Sequence, residues 1–168
     1  MTSVAEPAGA TWARVGAGHP LARPMLAELE DEYLRRYGAS ARREMTRYPA
    51  GDFAPPDGVL LLLLEDGDPV AGGAFRRYDA TGAELKRIWT HSAHRRRGLA
   101  RRVVTELERI ARARGYRRVF LTTGSRQPEA KALYLSAGYT PLFDTAADPE
   151  SLDSLPFEKH LVDGAGAG

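Results

Sequence analysis

The chain has 168 residues, of which 43% are hydrophobic and 27% are charged, and its formal net charge is +2. These values predict one folded domain, and the longest apolar run, residues 59–64, is too short for a bilayer span, which needs about 20 helical residues. Because the sequence contains no cysteine, it excludes a disulfide framework, a thiolate metal site and a cysteine nucleophile. The histidines lack the spacing of a ligand set, so no metal is expected.

The two ends of the sequence are rich in small residues, which predicts flexible tails at residues 1–10 and 163–168 around one domain at residues 11–162. No segment in between has the composition of an interdomain linker. The start lacks the basic segment and the apolar core of a secretory signal, so we expect a cytoplasmic location and no membrane partner.

The first elements along the chain are a strand and a helix. Residues 12–15 predict a short strand, and residues 21–37 predict a helix because Leu29 and Tyr33 belong to an apolar set at helical spacing. Residues 39–56 combine charged side chains with a double proline, which predicts a short second helix followed by an irregular loop.

Three antiparallel strands follow. The strands are residues 59–64, 70–78 and 84–90, and turn residues at 66–68 and 80–82 connect them. In the third strand, alternation predicts two faces, with Glu84, Lys86, Ile88 and Thr90 on one and Leu85, Arg87 and Trp89 on the other.

The second half of the chain alternates helices and strands. An amphipathic helix that ends at Gly115 is predicted by apolar side chains on one face and arginines on the other. Residues 118–123 predict a strand, residues 129–137 predict a helix, and strands follow near Tyr139 and at residues 157–161. Together these elements predict a mixed sheet with helices packed on it.

The segment between the third strand and the amphipathic helix, residues 95–100, reads Arg-Arg-Arg-Gly-Leu-Ala. A helix start exposes unpaired N–H groups at the positive end of the helix dipole, and small residues at Gly98 and Ala100 let a pyrophosphate approach the backbone. The arginines add charge-assisted hydrogen bonds to phosphate oxygens. This segment, called the phosphate loop below, therefore predicts a phosphate-bearing ligand.

Two motifs resemble those of the GNAT superfamily of N-acetyltransferases. The phosphate loop matches the family pattern (Gln/Arg)-x-x-Gly-x-(Gly/Ala), which in that family binds the pyrophosphate and the pantetheine of acetyl-CoA. Residues 133–139, Leu-Tyr-Leu-Ser-Ala-Gly-Tyr, resemble the family's Leu-Tyr-x-x-x-Gly-(Phe/Tyr) element. The resemblance implies an α/β (α+β) GNAT fold, with a mixed, mostly antiparallel sheet of about six to seven strands flanked by about four α-helices.

The same resemblance implies an acyltransferase that moves the acetyl group of acetyl-CoA to a primary amine by direct attack in a ternary complex, without a metal. The residues that it implies for cofactor binding lie at the end of the third strand, in and just after the phosphate loop, and around the second motif. They are Ile88, Trp89, Thr90, Arg95, Arg96, Arg97, Gly98, Leu99, Ala100, Arg101, Gln127 and Tyr134.

Two side chains are candidates for proton transfer. An amine with a pKa of about 10.4 is mostly protonated at neutral pH, so a base assists its attack on the thioester. By resemblance, Glu84 stands where histone-type members of the family carry a catalytic glutamate, and Tyr134 stands where a tyrosine protonates the leaving thiolate. The alternatives are that Glu84 is a strand residue paired with Lys86 or Arg87, and that Tyr134 belongs to the core.

Two other functions stay open at the level of sequence. The arginine clusters suit a nucleic-acid backbone, but that function leaves the spacing of Gly98 and Ala100 unexplained, so no nucleic-acid partner is expected. A GNAT-like domain that binds acyl-CoA as a sensor would share the phosphate motif. No segment identifies the amine acceptor, a small molecule or a peptide, or the interface of the homodimer that many relatives form.

Overall fold

The computed structural model describes residues 9–40, 43, 49–125 and 127–161, which form a seven-stranded sheet with α-helices on both faces. The strands are β1 (Ala10–Arg14), β2 (Val59–Glu65), β3 (Asp68–Arg77), β4 (Gly82–Thr90), β5 (Arg118–Thr123), β6 (Thr140–Pro141) and β7 (Leu155–His160). The helices are α1 (Arg23–Tyr37), α2 (Leu99–Ala113) and α3 (Pro128–Ser136).

The strands follow the order β1-β2-β3-β4-β5-β7-β6 across the sheet. Neighbouring strands are antiparallel except β4 and β5, which are parallel and are connected through α2. The predicted mixed sheet and its three consecutive antiparallel strands are therefore confirmed. Within the segment 39–56, where a short helix and a loop were expected, residues 41, 42 and 44–48 lie outside the described residues, as do the tail expected at 163–168 and most of the tail expected at 1–10.

Two hydrophobic cores lie on opposite faces of the sheet. Helix α2 packs an apolar face that includes Val103, Leu107 and Ile110 on one side of the sheet, together with α3. Helix α1 covers the other side with Met25 and Leu29. Strand β2 is buried on both faces because its alternate leucines belong to alternate cores, which explains its continuous apolar sequence.

A β-bulge in β4 changes which side chains share a face. The register of β3 and β4 shifts between Gly72 and Ala74, and Arg87 has a φ of 59°. As a result, Leu85 and Trp89 belong to opposite cores. The predicted alternation, with Leu85, Arg87 and Trp89 on one face, is therefore wrong beyond the bulge, because the extra residue reverses it.

The bulge contacts α2 through a position that carries no side chain, Gly73. A Cβ atom there would lie 2.6 Å from Ile88 Cδ1, 2.9 Å from Leu107 Cδ1 and 3.0 Å from Val103 Cγ1. Glycine therefore lets the bulged strand and α2 meet across β3 without an intervening side chain.

We expect Gly73→Val to lower the free energy of unfolding by about 1–3 kcal/mol, because the new side chain overpacks the core beneath α2. Chemical denaturation of the variant and the parent chain measures the difference. Gly18→Val is the matched control, since no described atom beyond Gly18 and its two chain neighbours lies within 4 Å of a Cβ built there. Equal losses in both variants would show that contact with α2 does not determine the cost.

Candidate active site

A cavity opens where β4 and β5 separate. The two strands pair only between residues 82–84 of β4 and residues 118–120 of β5, although β4 continues to Thr90. Beyond residue 84, the edge of β4 that faces β5 has no strand partner within the described part of the chain. The resulting cavity has a volume of about 620 Å³, and its walls come from β4, β5, the phosphate loop and helices α1, α2 and α3.

Most of the residues expected to bind the cofactor lie on the wall of this cavity. Among the described residues, Arg97 and the candidate base Glu84 are the two expected site residues that do not. Those that line it are Ile88, Trp89, Thr90, Arg95, Arg96, Gly98, Leu99, Ala100, Arg101, Gln127 and Tyr134. The fold thus brings together the end of β4, the phosphate loop and the second motif, which are separate in sequence.

The start of α2 forms one end of the cavity. Gly98 is its N-cap residue with a φ of 71°, a left-handed conformation that glycine adopts without steric cost. Because the N-cap residue is glycine, it supplies no side chain to cap the first N–H groups of this helix. These N–H groups and the positive end of the helix dipole form an anion-binding surface beside Arg95 and Arg96, two of the cavity-lining arginines.

Arg97 makes a different contact from the one expected. Its Nη1 and Nη2 atoms donate to the two carboxylate oxygens of Glu65 at 3.0 and 2.5 Å, and Nη1 lies 2.9 Å from His94 Nδ1. The hydrogen bonds from Arg97 lower the pKa of Glu65. Arg97 therefore ties the phosphate loop to the end of β2.

Glu84 is a buried member of an ion-pair cluster, with 4% of the residue exposed. Its Oε1 atom accepts a hydrogen bond from Arg76 Nη1 at 3.1 Å, and Lys86 Nζ lies 3.7 Å from Oε2. Arg76 also donates to Asp52 at 3.2 Å. Lys86 lines the cavity, whereas Glu84 stands at the last pair between β4 and β5. The carboxylate is therefore next to the cavity wall and held by two cations.

Tyr134 of α3 is a buried residue of the cavity wall, with 5% exposed. Its ring packs against Tyr139 and Phe157, with ring centroids 5.5 and 5.7 Å apart. Tyr139 is held in turn by a hydrogen bond from its hydroxyl to Glu108 Oε2 at 2.7 Å. Burial, with a further contribution from Tyr33, raises the pKa of Tyr134, so its hydroxyl is protonated at neutral pH.

Gln127 is oriented by its neighbour across the turn before α3. Thr123 Oγ1 donates to Gln127 Oε1 at 2.9 Å, and both residues line the cavity. Because the carbonyl oxygen of the side-chain amide accepts this bond, the NH₂ group of Gln127 is the part that can donate to a ligand.

The motifs did not indicate the wall that α1 contributes. Leu29, Glu32 and Tyr33 of α1 line the cavity, as does Glu129 of α3. Arg36 joins the two helices, because its Nη2 atom lies 3.0 Å from Glu32 Oε1 and donates to Glu129 Oε1 at 2.8 Å. The sequence signal for Leu29 and Tyr33 was their helical spacing, which indicated a core face rather than a site.

Neither a metal cluster nor a membrane-spanning helix occurs in the described part of the chain. No three His, Cys, Asp or Glu side chains among the described residues are grouped so that they could hold a metal ion. None of the described helices is both long enough and apolar enough to cross a bilayer.

Comparison with known proteins places this arrangement among acetyltransferases. The sequence profile of the Acetyltransferase (GNAT) family matches residues 23–139. An uncharacterized N-acetyltransferase of Bacillus subtilis strain 168, YsnE, is 33% identical over 118 residues, which cover 59% of this chain and 78% of that protein.

Solved structures share the fold over nearly the whole chain. An acetyltransferase from Streptococcus agalactiae superposes with a TM-score of 0.69 at 19% identity, covering 92% of this chain and 99% of that one. A GNAT family acetyltransferase from Elizabethkingia anophelis, solved with acetyl-CoA bound, gives a TM-score of 0.62 at 16% identity, covering 92% of this chain and 100% of that one. At these identities the structures establish the fold that the two motifs implied.

Proposed function

Because this chain belongs to the GNAT family of acetyltransferases, we propose that it transfers the acetyl group of acetyl-CoA to a primary amine by direct attack in a ternary complex. The observation that carries the proposal is the cavity between β4 and β5, which joins an uncapped helix start to a buried tyrosine. The acceptor is the amine of a small molecule or of a peptide.

The cavity offers each part of acetyl-CoA a matching surface. The N–H groups at the start of α2 and the positive charge of Arg95 and Arg96 suit the pyrophosphate. The unpaired edge of β4 between Ile88 and Thr90 suits the pantetheine, because its amides can pair with that edge as an added strand would. The amide of Gln127 adds a donor on the opposite wall.

The chain's own groups then stabilise charge as the amine attacks. A neutral amine adds to the thioester carbonyl, and negative charge develops on the carbonyl oxygen. The backbone N–H of Ile88, in the bulged part of β4 beyond the last residue that pairs with β5, is our candidate donor to that oxygen. The intermediate collapses to an amide when the carbon–sulfur bond breaks and the thiolate of CoA leaves.

Tyr134 is our candidate for protonating the departing thiolate. Its position on the cavity wall gives it access to the reacting group, and its raised pKa keeps the proton on the hydroxyl at neutral pH. The phenolate that forms is reprotonated from solvent. The same raised pKa means that titration of Tyr134 does not lower the rate between about pH 7 and 9.

Glu84 is our candidate for receiving the proton that the attacking amine releases, through a water molecule because the carboxylate is not part of the cavity wall. Its contacts with Arg76 and Lys86 support the alternative role, in which it fixes Lys86 in the wall. The two roles predict different values of kcat when the carboxylate is removed, so kinetic measurements distinguish them.

We expect Tyr134→Phe to lower kcat about 10²-fold while the KM for acetyl-CoA changes little, because only the proton donor is lost. The assay measures CoA release with a thiol reagent over a panel of amines: an amino acid, a peptide, a polyamine and an aminoglycoside. The chain has no cysteine, so the reagent reports CoA alone.

Tyr78→Phe is the matched control, because Tyr78 is 47% exposed and is not among the described residues of the cavity wall. Full activity of Tyr134→Phe would leave Tyr134 with a packing role only. Binding of acetyl-CoA without CoA release from any amine would contradict the enzymatic proposal and favour an acyl-CoA sensor.

We expect Glu84→Gln to lower kcat about 10²-fold, since the variant cannot accept a proton. Steady-state rates measured across pH with a productive amine test this. Glu158→Gln is the control, because Glu158 is a half-buried strand glutamate that also pairs with an arginine, Arg118. An unchanged kcat together with lower stability would assign Glu84 to the ion-pair cluster.

A further inference from the structure

The carboxylate of Glu28, on α1, makes contacts that no motif indicated. It accepts three hydrogen bonds: from Trp89 Nε1 at 3.0 Å, from the backbone N–H of Ser92 at 3.0 Å and from Ser92 Oγ at 2.6 Å. Its partners are more than 60 positions away in sequence, so only the tertiary fold brings them together. One side chain of α1 thus satisfies three donors of another segment.

Those donors lie where β4 ends and the phosphate loop begins. Trp89 is 3% exposed and lines the cavity. Ser92 starts the short 3₁₀ turn Ser92–His94 that leads into Arg95, the first residue of the phosphate loop. Further along the loop, Arg97 is bound to Glu65 of β2. Carboxylates of α1 and β2 therefore hold the segment that runs from the end of β4 into the phosphate loop.

The contacts suit an ionised carboxylate. Burial raises the pKa of Glu28, but the hydrogen bonds from Ser92 and Trp89 and the nearby His91 outweigh this, and the pKa is lowered. At neutral pH both oxygens of Glu28 are therefore acceptors, and such charge-assisted bonds are shorter and stronger than neutral ones. The hydrogen bond from Trp89 Nε1 also satisfies the donor of the buried indole.

We infer that Glu28 is a positioning residue, which holds the start of the phosphate loop at the distance from the β4 edge that acetyl-CoA requires. The inference rests on the proposed function, because it assigns Glu28 to the binding of the pyrophosphate half of the donor. Glu28 is not among the described residues that line the cavity, so we expect its removal to affect donor affinity and not the chemical step.

The test compares two donors, acetyl-CoA and S-acetylpantetheine, which carries the same thioester without the phosphates. In Glu28→Ala we expect the KM for acetyl-CoA to rise about tenfold or more, because several bonds to a charged group are lost. We expect kcat at saturation to stay within about twofold of the parent value and the KM for S-acetylpantetheine to be unchanged. Glu30→Ala, exposed on the same helix, is the control and should behave as the parent chain.

Two further variants keep the inference testable if Glu28→Ala is unstable. Glu28→Gln retains a carbonyl acceptor and supplies an NH₂ group that the Ser92 hydroxyl can accept from, so its KM should be intermediate. Ser92→Ala should raise the KM for acetyl-CoA in the parent chain but add little to Glu28→Ala, because the shared bond is already absent.

Equal losses with both donors would overturn the inference, because they would show general destabilisation instead of a misplaced phosphate loop. A KM for acetyl-CoA that is unchanged in both Glu28→Ala and Glu28→Gln would overturn it as well. Failure of the proposed function looks different, because the parent chain itself would then release no CoA.

Discussion

The parallel contact between β4 and β5 is short, and the rest of the site depends on where it ends. Strand pairing with β5 stops at Glu84, but β4 runs on to Thr90, and no strand of the described residues lies along its β5-facing edge there. An edge with no strand beside it can pair with the amides of a ligand, as it would with an added strand. The bulge at Arg87 lies in the same stretch and sends Leu85 and Trp89 to opposite cores.

Because the gap passes between strands, both faces of the sheet contribute to its walls. Helix α1 lies on one face and α3 on the other, and a chain of ion pairs connects them across the gap. Arg95 lies 3.9 Å from Glu32, which pairs with Arg36, which in turn pairs with Glu129. Partly exposed pairs of this kind contribute little stability individually. Their effect is to fix the relative positions of the phosphate loop and two helices.

The local patterns in the sequence were sufficient for most of the fold. Apolar and β-rich runs predicted β2, β3 and β5 closely, and a period-3.6 pattern predicted α2, because each buries its apolar side chains against a neighbour along the whole element. The faces of β4 were predicted wrongly beyond Arg87, since a bulge is set by the register with β3 and by Gly73. Nothing in the local sequence of β4 specifies that register.

The sequence predicted those parts of the candidate site that are formed by the backbone of a single short segment. The glycine and the helix start of the phosphate loop are encoded by neighbouring residues, as is the second motif, and both motifs line the same cavity. The contacts of Arg97 with Glu65 and of Glu28 with Trp89 join residues distant in sequence, and no spacing rule relates them. The run of arginines gives the same prediction, a phosphate ligand, at each of its positions. In the structure, Arg97 is bound to Glu65.

We propose that the start of α2 binds the phosphates of acetyl-CoA, and thermal unfolding with and without acetyl-CoA is the direct test of this binding. At 100 times its Kd a ligand adds about 2.7 kcal/mol to native stability, a rise in Tm of roughly 5–10 °C for a chain of this size. Gly98→Asp should lose this rise, because its carboxylate repels the pyrophosphate. Gly98→Asn, which matches it in size and in tolerance of the left-handed conformation, should keep most of it. An absent rise in the parent chain, or an equal rise in Gly98→Asp, would contradict the account.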